Sequence, residues 1–155
     1  TDMDAGEIHL KVEINCKEHF SVYPMVRVPF AMDSSWFKGA CEVLTYELAE
    51  LTGTKLRAVY QRRKGRDLFD LWKILSMHPE LDKVKVMESY ERYLGFTASH
   101  LPTYKEFLLN MDGKLQDDEF LTDTEMILGP QVEYDPQMAW EKVKAELVER
   151  LNTEV

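Results

Sequence analysis

A chain of 155 residues, 45% apolar and 30% charged, suits one domain with a core of its own. Its formal charge of −9 disfavours non-specific nucleic-acid binding over the surface as a whole. No apolar run approaches the ~20 residues that cross a bilayer, and no charged-then-apolar leader opens the chain, so a cytoplasmic protein without a membrane partner is expected. Cys16 and Cys41 have neither a CxxC nor a His-paired metal spacing and read as two unrelated thiols. The first residue is Thr1 rather than Met, which suggests a fragment of a longer protein.

In chain order, "EIHLKVEIN" alternates strictly. Ile8, Leu10, Val12 and Ile14 face one way and His9, Lys11, Glu13 and Asn15 the other, the pattern of a half-buried strand. A β-prone piece around Tyr23 to Phe30 carries Pro24 and Pro29, which confine it to an edge or a bend. Extended chain is expected again around Val43 to Tyr46. From Glu47 the period becomes helical, with helices predicted over residues 47–64, 66–77, 80–94, 102–112, 117–128 and 136–151. Gly65, His78-Pro79, Gly95, Gly113 and Gly129-Pro130 supply the breaks, and Asp135-Pro136 is a cap followed by proline at the first helical position. The class is α+β: residues 1–46 form a short β portion and residues 47–155 a mainly helical region. So little strand does not make a stable sheet. Further strands are expected from upstream sequence or a second chain, with the edge beside Ile8 to Ile14 available for dimerisation.

The stretch "KLRAVYQRRKGR" contributes Lys55, Arg57, Arg62, Arg63, Lys64 and Arg66, or +6, so the rest of the chain carries −15 (the total of −9 less those six). Composition favours a solvated basic helix paired with neighbouring acids over a phosphate-binding patch. On a wheel at about 100° per residue, Leu51, Leu48 and Val59 share an arc with Ala58 and Leu56, and Lys55 falls inside it. A lysine so placed is costly unless it is paired or reaches a polar cavity. Arg57 and Lys64 point away and read as solvent charges. Gly53, in mid-helix at roughly 1 kcal/mol relative to alanine, hints at a close neighbour.

The next helix repeats the anomaly. Asp67 lies at the edge of the face made by Leu68, Leu71, Trp72 and Leu75, while Asp70 sits on a more open side. Asp67 has two plain structural roles open to it: capping a helix N-terminus, where an acid is favoured, or forming a buried ion pair with Lys55 that only fixes packing.

The run Tyr46 to Trp72, "YELAELTGTKLRAVYQRRKGRDLFDLW", resembles the AbiEii/AbiGii-type nucleotidyltransferase toxin family, which carries a Glu-Leu lead-in, a lysine, an arginine-rich segment and Arg-Asp-x-x-Asp. The strand "LKVEIN", with Lys11 and Asn15, resembles that family's second motif. "NMDGKLQDDEFLTDTEMIL" and "AWEKVKAELVERL" resemble its helical tail less specifically. One departure is large: members begin with Gly-Ser and an Asp-x-Asp strand that holds the metal, and neither is here. "DMD", Asp2 to Asp4, has the form without the context and is read as coincidence.

The resemblance implies the C-terminal part of an enzyme that moves an NMP from an NTP to a tRNA or other nucleic-acid acceptor. The β portion would then be part of a nucleotidyltransferase sheet. The protein would act as a toxin in phage defence, with an antitoxin gene product as its counterpart. It also implies magnesium, held mostly by residues upstream. Lys55 would contact the triphosphate, Asp67 would orient Lys55 or the acceptor, and Lys11 would line the site from the sheet. Arg62, Arg63, Arg66 and Asp70 would bind substrate, with a solvated or structural role about as expected for the arginines. Glu13 is a candidate third carboxylate, with a solvent-facing role as its alternative. This chain by itself would be inactive. Two other readings stay open: a non-catalytic helical module that docks RNA or a protein, and a degenerate member kept as a scaffold. His9, His19, His78 and His100 lack ligand spacing, and no glycine-rich phosphate loop occurs.

Overall fold

The computed structural model describes residue 12 and residues 18–125, 127–129 and 131–152. Of the strand expected over Ile8 to Ile14, Val12 alone is among them, 72% exposed and outside any strand, contrary to the buried face expected for it. Lys11, Glu13 and the rest of the proposed dimer edge lie outside the described residues.

The described β structure is one antiparallel hairpin, β1 (Val26–Asp33) and β2 (Lys38–Thr45), closed by the turn in which the Ser34 N–H donates to the Phe37 carbonyl at 2.8 Å. Both strands are longer on the tip side than the sequence suggested. Pro29 is accommodated within β1 opposite Glu42. Val26, Val28, Phe30 and Met32 share one face with Cys41 and Val43, while Arg27, Asp33, Lys38 and Glu42 take the other. Every strand residue is exposed except Thr45, which is half-buried. The core therefore belongs to the helices.

Six helices follow: α1 (Leu48–Gln61), α2 (Gly65–Met77), α3 (Lys83–Thr97), α4 (Tyr104–Lys114), α5 (Asp118–Thr122) and α6 (Pro136–Glu146), then a 3₁₀ turn over Val148–Asn152. Their starts obey local capping chemistry. Asp82 accepts from the N–H groups of Val84 and Lys85, Thr103 and Glu106 form a capping box, and Asp135 accepts from Gln137 and Met138 ahead of Pro136. Leu56, Val59, Leu68, Leu71, Tyr90, Leu94, Phe107, Met111, Trp140 and Val143 form the buried centre. The α+β class is the one observed.

Several boundaries differ from the sequence reading, and α6 gives way to the 3₁₀ turn after Glu146 rather than running to residue 151. The first helix stops at Gln61 rather than residue 64, and Arg62 to Lys64 form an extended turn although nothing in "RRK" breaks a helix. The helix read over 117–128 survives only as α5; beyond it the chain makes tight turns in which Glu125 bonds Thr122 and Ile127 bonds Thr124, as Thr- and Asp-rich sequence allows. Gly95 and Gly113 lie inside helices and end neither.

The α1 face is also rotated. Ala49, Thr52, Gly53, Leu56 and Val59 are buried, whereas Leu48 and Leu51 are only half-buried. The cause is the close packing of α1 on α3: a Cβ on Gly53 would meet the Val86 carbonyl oxygen at 2.6 Å and the Tyr90 nitrogen at 2.8 Å. That rotation puts Lys55 toward a partly open side rather than into the core.

Gly53→Ala therefore tests the packing against propensity. Alanine should gain about 1 kcal/mol in helix propensity, yet the clash is with backbone that cannot turn aside. A net loss of about 2 kcal/mol in urea unfolding is expected; a stabilised variant would mean that α1 and α3 sit further apart.

Candidate functional site

The turn between α1 and α2 gathers the charged residues singled out in the sequence. Asp67 lies in the first turn of α2, where an acid suits the helix N-terminus, but its side chain does not cap that helix. It is instead buried, at 1% exposure, and spent on two cations. Arg62 clasps it bidentately, Nη2 to Oδ1 at 2.8 Å and Nε to Oδ2 at 3.1 Å. Lys55 Nζ donates to Oδ1 at 3.3 Å and reaches Asp70 Oδ2 at 2.6 Å. The ion-pair reading of Asp67 therefore holds, and the capping reading does not: the acid stands in the first turn of α2 but gives its oxygens to Lys55 and Arg62. The closeness of Lys55 and Asp67 is observed, and Lys55 keeps about a third of its side chain in solvent.

The extended turn explains the clasp. Arg62 leaves α1 with φ −112° and ψ 158° and folds back five residues along the chain to Asp67. Gly65 then starts α2 against the chain of α5, where an added Cβ would lie 2.0 Å from the Phe120 carbonyl oxygen. Only a glycine fits there, which supports its reading as a break, though for close approach rather than for a special φ.

The other basic residues differ in fate. Arg63 pairs with Asp117 at 3.2 Å, and Lys64 reaches Glu119 at 3.4 Å and Asp123 at 3.9 Å. The acids that neutralise the basic run come from α5 and its flanks, as composition suggested. Arg66 is exposed, and its side chain has no partner among the described residues, its backbone N–H alone being taken by Asp123.

Arg57 overturns its expectation. It is not a solvent charge: its side chain is 16% exposed, pairs with Glu18, donates to the Tyr93 carbonyl at 3.2 Å and stands 5.4 Å over the Tyr93 ring. The same region holds Glu50, fully buried, which accepts from the N–H groups of Val22 and Tyr23 at 2.8 and 3.0 Å and from the Tyr93 hydroxyl at 2.7 Å. Burial and the Glu50 carboxylate push the Tyr93 phenol up. Glu50 and Arg57 thus strap residues 18–23 across α1 and α3. One signal of this lay in the sequence, two charges, Glu50 and Arg57, on the α1 flank that faces away from Leu48, and only a known strap would have decoded it.

Between the strap and the cluster lies a cavity of about 330 Å³ lined by Glu18, Tyr46, Thr54, Lys55, Arg57, Gln61, Arg62 and Tyr93. It lies at the small end of the range for ligand pockets. Lys55 and Arg62 thus join the buried Asp67 to this opening. Lys11 and Glu13 fall outside the described residues, so their positions relative to the cavity are not part of this geometry. Among the described residues no group of three or more His, Cys, Asp or Glu is placed to hold a metal ion.

The helical part of this α+β chain thus carries a buried Arg-Asp clasp beside a cavity that Lys55, Arg57 and Arg62 line together with Glu18. The sequence model of the family described as "AbiEii: Nucleotidyl transferase AbiEii toxin, Type IV TA system" matches residues 2–147. The chain belongs to that family, a family of nucleotidyltransferase toxins that implies an antitoxin as counterpart. No curated protein and no solved structure matches the chain. No helix among the described residues is long and apolar enough to cross a membrane.

The energetics of the clasp are open to a direct test. Removing both cations, in Lys55→Met with Arg62→Ala, strands a carboxylate with almost no access to water and should cost about 3 kcal/mol at neutral pH. Adding Asp67→Leu to that pair should recover most of the loss in chemical denaturation. If the triple variant is no more stable than the double one, the carboxylate is not the seat of the cost.

Proposed function

We propose that the chain holds the triphosphate of an NTP during nucleotidyl transfer, and that the Lys55–Asp67–Arg62 cluster is where it does so. The observation that carries this reading is the pairing pattern: Lys55 and Arg62 are both fixed by one buried carboxylate, yet each keeps part of its side chain in solvent beside the cavity. Cations fixed in this way favour the charge that gathers on phosphate oxygens at little further ordering cost. Asp67 orients both cations. Asp70, tied to Lys55 at 2.6 Å and 40% exposed, is the partner that an incoming phosphate would displace.

Arg66, with Arg62 and Arg63 beside it, is proposed to take the phosphates of a tRNA or other nucleic-acid acceptor. The Arg63–Asp117 and Lys64–Glu119 pairs do not forbid this, since exposed ion pairs contribute little and exchange readily. A plain RNA- or protein-docking module is less well supported: most of the basic run is already matched by acids, and a docking face would have little use for a cavity.

Magnesium, which the family resemblance implies, does not fit the described residues. Asp67 and Asp70 are committed to Lys55 and Arg62. We propose accordingly that the 155-residue chain binds NTP without itself completing transfer.

NTP binding by calorimetry tests the reading. The wild-type chain should bind an NTP, with pyrophosphate as competitor. Lys55→Ala should weaken binding by tenfold or more while the fold stays intact, because Arg62 still satisfies Asp67. Arg66→Ala should leave NTP affinity alone and weaken RNA binding. Unchanged NTP affinity in Lys55→Ala would sink the site assignment, and robust labelling of RNA by the purified chain would overturn the claim that it does not complete transfer.

A further inference from the structure

Behind the basic turn sits a buried cation that the site described so far does not use. Lys114 ends α4 with a 4% exposed side chain. Its Nζ donates to the main-chain oxygen of Val59 and, at 2.7 Å, to that of Tyr60. Both carbonyls belong to the last turn of α1, where the helix itself offers no further N–H beyond the bond from Arg62 to Ala58. A cation at a helix C-terminus also meets the negative end of its dipole. From the same end of α4 the Gly113 carbonyl accepts from Arg63 at 3.5 Å.

This lysine has no carboxylate within ion-pair distance among the described residues. A buried ammonium so placed is costly, and methionine would fill similar space without that cost. Packing alone does not explain the charge. Two features of its location do. It clamps α1 immediately before Arg62 turns back, so the clasp on Asp67 starts from a fixed point. It also changes the charge of the cluster: Lys55 and Arg62 balance Asp67 and Asp70, and Lys114 leaves one positive charge in surplus.

We propose that Lys114 is a buried positioning residue of the Lys55–Arg62–Asp67 site, fixing the end of α1 from which Arg62 folds back and supplying the surplus positive charge that a di- or triphosphate group meets. This rests on the nucleotide reading given above.

The chemistry gives the proposal a signature. Burial pushes the Lys114 amine down to about 8 from its ordinary 10.5. Arg63, from the turn, adds to the depression, and Asp67, from α2, opposes it; among the described residues these are the charged groups that act on it. Arg63 is itself held by Asp117. Between pH 8 and 10.5 the unfolded chain keeps a proton that the folded chain has lost, so this group makes folding more favourable as pH rises. Phosphate binding moves the other way, because losing the proton removes the surplus charge. A lysine that served stability alone would not weaken phosphate binding while strengthening the fold. By the same linkage, a bound phosphate raises the amine's proton affinity, so binding near pH 8 takes up protons.

The test uses inorganic pyrophosphate and the 155-residue chain, by calorimetry at pH 8 in two buffers of different ionisation heat, and again at pH 7 and 9.5. The wild type should take up a fraction of a proton on binding, and its affinity should fall roughly tenfold across that range. Lys114→Arg, which stays charged, should take up less proton and lose less affinity with rising pH than the wild type, a difference in which the last ionisation of pyrophosphate, common to both, cancels. Lys114→Met should bind roughly tenfold more weakly at pH 7 and lack the same share of the wild-type uptake. Wild-type affinity and proton uptake in a folded Lys114→Met variant would overturn the proposal and leave the nucleotide reading standing. If that variant does not fold, Lys114→Arg decides: a proton uptake equal to the wild type's overturns the proposal. A wild-type chain that binds no pyrophosphate defeats the nucleotide reading, and this inference with it.

Discussion

The carboxylate of Asp67 is the constraint around which the helical part is arranged. It has left water almost completely, and it is tolerable there because Arg62 meets it with two parallel bonds and Lys55 with a third. Those bonds fix more than a charge. To present the fork of Arg62, α1 must stop at Gln61, the next three residues must run extended, and α2 must begin at a glycine pressed against the Phe120 carbonyl. A well-packed apolar pair would hold two helices together at lower desolvation cost. What the ionic arrangement adds is orientation: two cations held in one geometry at the rim of a cavity.

A second network holds the opposite wall. Glu50, buried on α1, accepts from two main-chain N–H groups of the strap and from Tyr93 on α3, while Phe20 stacks on Tyr93 at 4.9 Å between centroids. Arg57 joins this wall through Glu18 rather than the Asp67 cluster. The cavity therefore lies between two independently anchored ionic groups, one on each flank of α1. The close approach of α3 at Gly53 sets the rotation of α1 that makes both flanks available, so a packing choice on the buried face decides which charges meet at the open ones.

Much of this was legible in the sequence, and the parts that were not share a cause. The Asp135-Pro136 start acts over a few residues, and α6 begins there. Lys55 and Asp67 stood out because each broke an apolar pattern. The end of α1 was misread because "RRK" has good helix propensity; the decision came from Lys114 and Asp67, which lie 55 and 5 residues from Val59 and Arg62 respectively. Tertiary partners overrode local preference there. The burial of Arg57 was hidden for the same reason, since its partner Glu18 lies 39 residues away in sequence. The wheel failed on α1 because it ranked Leu48 and Leu51 above Ala49, Thr52 and Gly53, whereas close helix packing favours the small residues.

The contrast between a basic run and an acidic chain resolves once the pairs are sorted by solvent access. Where both partners are exposed, as for Lys64 with Glu119, the acidic surface merely neutralises the run at little energetic consequence. Where the carboxylate is buried, as for Asp67, the pair is rigid and its cations are committed in direction though not fully in hydrogen bonds. Lys55 is intermediate, holding a buried acid with one contact and a half-open one with another. That gradation matters for the proposed function, because an anionic ligand must compete with the acids already present. It competes easily with Asp70 and the surface acids, and hardly at all with Asp67. Phosphate would thus exchange with the outer acids while the inner one keeps the cations aimed, and raising the salt concentration should weaken the outer pairs and the ligand together without dissolving the clasp.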